Sequence, residues 1–142
     1  MLFGKKTRRI TRLLLVEDEP LVAFDTEYFL GEADFTIVAT VDRVADALPI
    51  IEGDEIIDLL LVDVTLADGS GVDVARAAHA RGVPVLFVTG NFPDEASVWA
   101  AGCLSKPYAQ RSLLASIAAI EATLDGKPPK RLPPGFRLFE RV

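Results

Sequence analysis

Leu13-Leu14-Leu15-Val16-Glu17-Asp18-Glu19-Pro20 decides how the chain begins to fold. Four aliphatic residues stand in a row, then three carboxylates, then a proline. An apolar run this short, halted by charge, predicts a buried strand. Pro20 suits the first position of a following helix, where its missing N–H leaves nothing unsatisfied. The pattern returns at Asp58-Leu59-Leu60-Leu61-Val62-Asp63. That stretch is apolar between its two acids and predicts a strand covered on both faces.

Outward from these two strands, elements alternate. Leu21, Phe24 and Tyr28 recur at i, i+3, i+7 after Pro20, with Val22 and Phe29 beside them, and mark the apolar side of a helix closed by Gly31. Phe35–Val41 is rich in β-branched residues and reads as a strand. Arg43–Glu52 reads as a helix bent or shortened by Pro49, with Gly53 after it. Thr65-Leu66-Ala67-Asp68-Gly69-Ser70-Gly71 is turn-rich. Val72–Arg81 is a third helix, ended by Gly82. Pro84–Val88 is the fourth strand, Pro93–Ala101 a short helix with acids in its first turn, and Gly102–Ser105 the fifth strand. Leu113, Ile117, Ile120 and Leu124 line the last helix, which Gly126 ends. Five strands alternating with helices predict an α/β, doubly wound parallel sheet with helices on both faces.

The chain has 142 residues, half of them apolar and a quarter charged, which suits one globular domain. Its one cysteine excludes an internal disulfide framework and a cysteine-based zinc site. The longest aliphatic runs are far below the roughly 20 residues of a membrane span, and no apolar segment follows the basic start, so a cytoplasmic protein is expected. Charge divides the chain in three. Residues 1–12 carry five basic residues and no acid, residues 127–142 are net +4, and residues 13–126 hold 20 acids against five bases. An acidic body does not suit nucleic-acid binding, which needs a basic folded face. The ends read as solubilising, or as docked onto the acidic body. The expected organisation is a basic arm (1–10), one domain (11–126) and a Pro-rich basic tail (127–142). The tail shows no helical or strand period and reads as extended or disordered.

In an open α/β sheet, ligands bind beyond the carboxyl ends of the strands. Glu17 and Asp18 end strand one, Asp63 ends strand three, Thr89 ends strand four and Lys106 follows strand five. Taken singly, each such acid reads as a turn residue or helix cap, and Lys106 as a surface lysine. Together they fall on one edge. Three neighbouring carboxylates repel, so a positive partner is required. Lys106 supplies one charge, and Mg2+ suits a site of few carboxylates plus water. A magnesium ion beside a carboxylate is what phosphoryl transfer needs, and a carboxylate can itself be the nucleophile. Thr89 and Lys106 could then hold phosphoryl oxygens.

With these residues in place the sequence resembles the receiver domain of two-component response regulators. The resemblance rests on Leu14-Leu15-Val16-Glu17-Asp18-Glu19-Pro20, Asp58–Leu66, Asp68-Gly69-Ser70-Gly71, Thr89-Gly90 and Lys106-Pro107, in order through residues 11 to 125. It implies a flavodoxin-like five-stranded sheet of order 2-1-3-4-5. It implies phosphorylation of Asp63 from the phosphohistidine of a histidine kinase or histidine phosphotransfer protein. It implies that Asp18, Asp63 and the carbonyl of Thr65 bind Mg2+ directly and Glu17 through water, that Thr89 and Lys106 bind and report the phosphoryl group, and that the Lys106–Pro107 peptide is cis. With about 16 residues after the last helix, a stand-alone module without a DNA-binding domain is expected. Its output would be contact with a downstream protein partner, or it would be a phosphate shuttle or sink. It would catalyse only its own phosphorylation and dephosphorylation.

The sequence departs from the family at Cys103, three residues before the lysine, where an aromatic switch is common. The segment between Thr89 and Lys106 is short, and Asn91 stands where a related branch has an aromatic after Thr-Gly. Output is therefore expected through a shift of the short helix 93–101, which carries Trp99. The rivals are an Asp-dependent phosphohydrolase, a flavodoxin and a degenerate receiver that only binds partners. The first needs an acid two residues after the nucleophile, where Thr65 stands. The second needs a hydroxyl- or glycine-rich phosphate cradle after strand one, where the acids stand. The third is disfavoured by the presence of all five site residues. His79 reads as a surface or boundary residue, Cys103 as a small buried one, Asp68 as ordering its turn, and Trp99 equally as core or interface.

Overall fold

A computed structural model describes residues 8–139. In chain order the elements are β1 (Arg12–Val16), α1 (Pro20–Glu32), β2 (Thr36–Val41), α2 (Val44–Glu52), β3 (Leu59–Val62), β4 (Thr65–Leu66), β5 (Gly69–Ser70), α3 (Gly71–Ala80), β6 (Val85–Thr89), a 3-10 turn (Asp94–Trp99), β7 (Gly102–Ser105), α4 (Gln110–Leu124) and β8 (Phe136–Leu138). The sheet order is β2-β1-β3-β6-β7-β8. Its first five strands are parallel, in the order expected. The central strands β1, β3 and β6 are buried on both faces, as their apolar runs dictate, while the edge strand β2 is only partly covered. Leu13, Leu15, Leu59, Leu61, Leu86, Val88 and Leu104 point to one face and pack with Leu30, Leu113, Ile117 and Ile120 from α1 and α4. Leu14, Val16, Leu60, Val62, Val85, Phe87 and Cys103 point to the other and pack with Ala47, Ile51, Val74, Ala75 and Ala78 from α2 and α3. Alternation along each strand thus builds two cores from one sheet.

Four local readings are corrected. Leu21, Phe24 and Tyr28 do not face the core: they are 79, 66 and 65 % exposed. The buried stripe of α1 is Ala23, Thr26 and Leu30, which has the same i, i+3, i+7 spacing. Ala23 and Thr26 are small, so α1 can lie close on the sheet, which the large side chains would prevent. Residues 94–99 form a 3-10 turn, not an α-helix, because so few residues are left between β6 and β7. The turn 65–71 contains a two-residue hairpin, β4–β5, closed by Thr65↔Ser70 and Leu66↔Gly69. The tail is not devoid of structure: β8 pairs antiparallel with β7 and adds a sixth strand.

The described part of the basic arm docks on the acidic body. Arg9 and Ile10 donate backbone N–H groups to the Glu121 carboxylate, Arg9 pairs with Asp125 at 2.9 Å, and Arg8 lies 4.2 Å over the Phe35 ring. Ile10 is buried in the α1/α4 core. No helix among the described residues is long and apolar enough to cross a membrane.

Candidate phosphoacceptor site

The site is held by backbone pairing. Glu17 donates its N–H to the Val41 carbonyl (2.9 Å) and Asp63 donates to the Val16 carbonyl (3.1 Å), so the ends of β2, β1 and β3 stay level. Gly71 then fixes the loop after Asp63. Its N–H donates to the Val64 carbonyl at 2.6 Å, and a Cβ placed there would lie 1.9 Å from the Asp63 carbonyl oxygen. Only glycine lets the start of α3 approach the loop after Asp63 so closely. Ser70 caps α3 by accepting from the Val72 N–H at 3.1 Å.

Lys106 ties the edge together. Its backbone N–H donates to the Thr89 carbonyl at 3.0 Å. Its Nζ donates to Asp63 Oδ2 at 2.8 Å, Glu17 Oε1 at 2.8 Å and Glu19 Oε1 at 3.1 Å. All three protons of the ammonium are therefore used. The Lys106–Pro107 peptide is cis. Burial pushes the Lys106 pKa down, but the hydrogen bonds to Asp63, Glu17 and Glu19 outweigh it and hold the ammonium firmly charged. Glu17 is buried, and that burial raises its pKa above the ordinary carboxylate range against the opposing bond from Lys106.

Carboxylate oxygens of Glu17, Asp18 and Asp63 lie within 4.8 Å of one another. They are hard oxygen donors, and with Glu19 they outnumber the one ammonium, so the cluster suits a small divalent cation such as magnesium. Thr89, the last residue of β6, is buried, and its Oγ accepts from the Asn91 N–H at 3.4 Å. β6 lies between β3 and β7, with Thr89 opposite Ser105. The exposed Thr65 sits on β4, two residues beyond Asp63.

Three contributors escaped the sequence reading. Glu19 reaches Lys106, which no strand-end rule places there. Gly71 was visible as a turn glycine, but its closeness to the Asp63 backbone was not. Asp68 does more than order its own turn: it accepts from the Val44 and Ala45 N–H groups at 2.6 and 3.1 Å and so caps α2. These bonds, that to Val44 foremost, hold its pKa below the usual range. Elsewhere, the His79 ring meets Trp99 edge-on at 5.5 Å, and Arg76 lies 5.4 Å over the indole. Cys103 is buried, and burial pushes its thiol up to about 11.

The chain is similar to known proteins. The family model of the response regulator receiver domain matches residues 13–118. The phyllosphere-induced regulator PhyR of Methylorubrum extorquens is 33 % identical over 86 residues, which cover 59 % of this chain and 32 % of PhyR. The sensory transduction protein RegX3 of Mycobacterium tuberculosis is 32 % identical over 118 residues, 78 % of this chain and 51 % of RegX3. The chain thus spans about a third and a half of these relatives. A crystal structure of a CheY-like response regulator receiver domain protein from Methanospirillum hungatei superposes with a TM-score of 0.71 at 27 % identity, covering 82 % of this chain and 95 % of that one. Matching sheet order, a carboxylate cluster at the expected edge and sequence likeness across three-quarters of its length all agree: the chain belongs to the response regulator receiver domain family.

Proposed function

We propose that the chain is a phosphoacceptor that takes a phosphoryl group on Asp63 from a partner's phosphohistidine and passes the signal on by protein contact. The observation that carries this reading is the Lys106 ammonium held at 2.8 Å from Asp63 and from Glu17, inside a cluster of carboxylates. One Asp63 oxygen attacks phosphorus. The P–N bond of the phosphohistidine breaks, its electron pair stays on the imidazole, and that nitrogen takes a proton from solvent. An acyl phosphate remains on Asp63.

Glu17, Asp18, Asp63 and the Thr65 carbonyl would hold the Mg2+, which neutralises charge on the phosphoryl oxygens in transfer. Lys106 is already hydrogen-bonded to the acceptor carboxylate, so it can donate to a phosphoryl oxygen with little movement. Thr89 uses its Oγ only as an acceptor, so its hydroxyl proton is free for a second phosphoryl oxygen. No acid stands two residues after Asp63 to activate water, which sets the site apart from a phosphohydrolase. The chain acts only on its own phosphoryl group. The donor protein is met by α1: Leu21, Phe24 and Tyr28 are exposed on the helix that starts two residues after Asp18. This apolar stripe fits the helical surface of a histidine kinase or histidine phosphotransfer protein.

The test is incubation with magnesium and a small acyl-phosphate or phosphoramidate donor, read by intact mass. One phosphoryl group is expected on the wild type and none on Asp63→Asn. Equal labelling of Asp63→Asn would place the acceptor elsewhere.

A further inference from the structure

The segment 135–139 joins the fold at both ends of the stretch that links Thr89 to Lys106. On one side it pairs with β7. Leu104↔Phe136, Cys103↔Arg137 and Gly102↔Leu138 are in register. Ser105, the residue before Lys106, donates its N–H to the Gly135 carbonyl at 2.9 Å, and Phe139 donates to the Ala101 carbonyl at 2.9 Å. The Phe136 ring is buried in the hollow over Gly102, where an added Cβ would lie 2.5 Å from it. On the other side the segment grips the loop after Thr89. Phe139 stacks on Phe92 at 5.4 Å. Arg137 lies 5.9 Å over Phe92 and 5.2 Å over Phe139 and reaches Asp94 at 3.3 Å. Phe92 in turn meets Phe87 of β6 at 5.2 Å.

This edge of the sheet is therefore a strand-accepting surface with the chain's own segment 135–139 seated on it. We propose that β8 is the element that reports phosphorylation: a phosphoryl group on Asp63 loosens its docking on β7 and on Phe92. The inference rests on the reading of Asp63 given above. The direction follows from Thr89. Its Oγ accepts the Asn91 N–H, which tethers the loop one residue before Phe92. When the hydroxyl is drawn toward a phosphoryl oxygen to donate its proton, the oxygen moves away from the Asn91 N–H, the already long 3.4 Å contact is stretched, and the anchor before Phe92 weakens. Lys106 shifts at the same time, one residue from the Ser105–Gly135 hydrogen bond. β8 meets both displacements and has only three residues in the sheet. No large ring at position 103 competes for this role.

Hydrogen exchange on the full 142-residue chain tests the proposal. With magnesium and beryllofluoride as phosphoryl mimic, amides 136–139 should exchange about tenfold faster, within the usual range of coupling between two sites. Coupling is reciprocal. Arg137→Glu, which turns the Asp94 pair into a repulsion, should speed exchange there without the mimic. To the extent that it leaves β8 undocked, it should also tighten beryllofluoride binding, followed by Trp99 fluorescence, by up to that factor. Phe136→Ala should act in the same sense. Unchanged exchange at 136–139 in a chain that carries the phosphoryl group overturns the role of β8 alone. So does an Arg137→Glu chain whose amides 136–139 exchange as freely as an undocked segment while its mimic affinity is unaltered. A wild type that neither gains a phosphoryl group nor binds the mimic overturns the reading of Asp63, and this inference with it.

Discussion

Lys106 is the only cation bonded to the carboxylates of the site among the described residues, and its three protons are shared among three of them. Asp18 is left without a share, so its charge and the surplus of its neighbours remain for a divalent ion. Chelation of magnesium should therefore abolish labelling of Asp63 by a small donor. Asp18→Asn should slow it at least about tenfold, the scale of a lost charge-assisted contact. Mass spectrometry over a time course checks both, and full labelling in EDTA would remove the metal from the site. Cys103 gives a second prediction, on pH. Its thiol ordinarily ionises near 9.0, and burial in the fold pushes that up to about 11. Between those values the unfolded chain loses the proton and the folded chain keeps it, so stability falls as pH rises through this window. A shift of two units corresponds to at most about 2.7 kcal/mol. Urea unfolding at pH 8 and pH 10.5 should show a smaller loss for Cys103→Ala than for the wild type. The native thiol should also resist alkylation at pH 8.

At the scale of elements, what could be read from sequence was whatever one element imposes on itself. The aliphatic runs of β1, β3 and β6 can only be doubly buried strands, and the acids that halt them mark one edge, so fold and carboxylate cluster were legible together. The buried face of α1 was not, because Leu21-Phe24-Tyr28 and Ala23-Thr26-Leu30 have identical spacing. The choice between them is made by how closely the helix must approach the sheet, which is a property of the neighbours. For the same reason the Gly71 contact with the Asp63 carbonyl and the reach of Glu19 to Lys106 were invisible: both join elements whose distance no local pattern encodes. The two stripes of α1 predict opposite outcomes. Phe24→Ala removes an exposed ring and should change stability by no more than about 0.5 kcal/mol. It should slow phosphotransfer from a phosphohistidine protein while leaving labelling by a small donor intact. Paired rate measurements with both donors check this, and equal slowing with both would move the effect to the site itself. Gly71→Ala instead pushes a methyl group into the Asp63 backbone. It should cost about 1–3 kcal/mol as an overpacked contact and slow labelling by either donor.

At the scale of the whole molecule, the described parts of both ends pack on the body, and the segment after α4 is the clearer case. It follows Gly126, a positive-φ stop at 79°, and runs through Pro128, Pro129, Pro133 and Pro134 before reaching β7. No period marks a three-residue strand behind four prolines, so its place in the sheet could not be read from composition. Sequence alone suggests that residues 11–126 suffice for a stable domain; the structure suggests that they lack one wall of a core. Phe136 is part of the α1/α4 core, and without it Gly102 leaves a hollow at the sheet edge that no other side chain fills. Removing a buried phenylalanine ring typically costs about 3–5 kcal/mol. β8 lies at an edge, so the lower end applies. A chain ending at Gly126 should therefore still fold, through the five parallel strands, but unfold in urea with about 3 kcal/mol less stability. It should also carry a bare β7 edge, whose unpaired N–H and C=O groups favour pairing with another copy. Urea titration with sedimentation at several protein concentrations measures both effects. Phe136→Ala in the full chain should reproduce most of the stability loss without the association, since it keeps the strand and loses the ring. A truncated chain as stable and as monodisperse as the full one would show that β8 rests on the sheet without belonging to its cooperative unit.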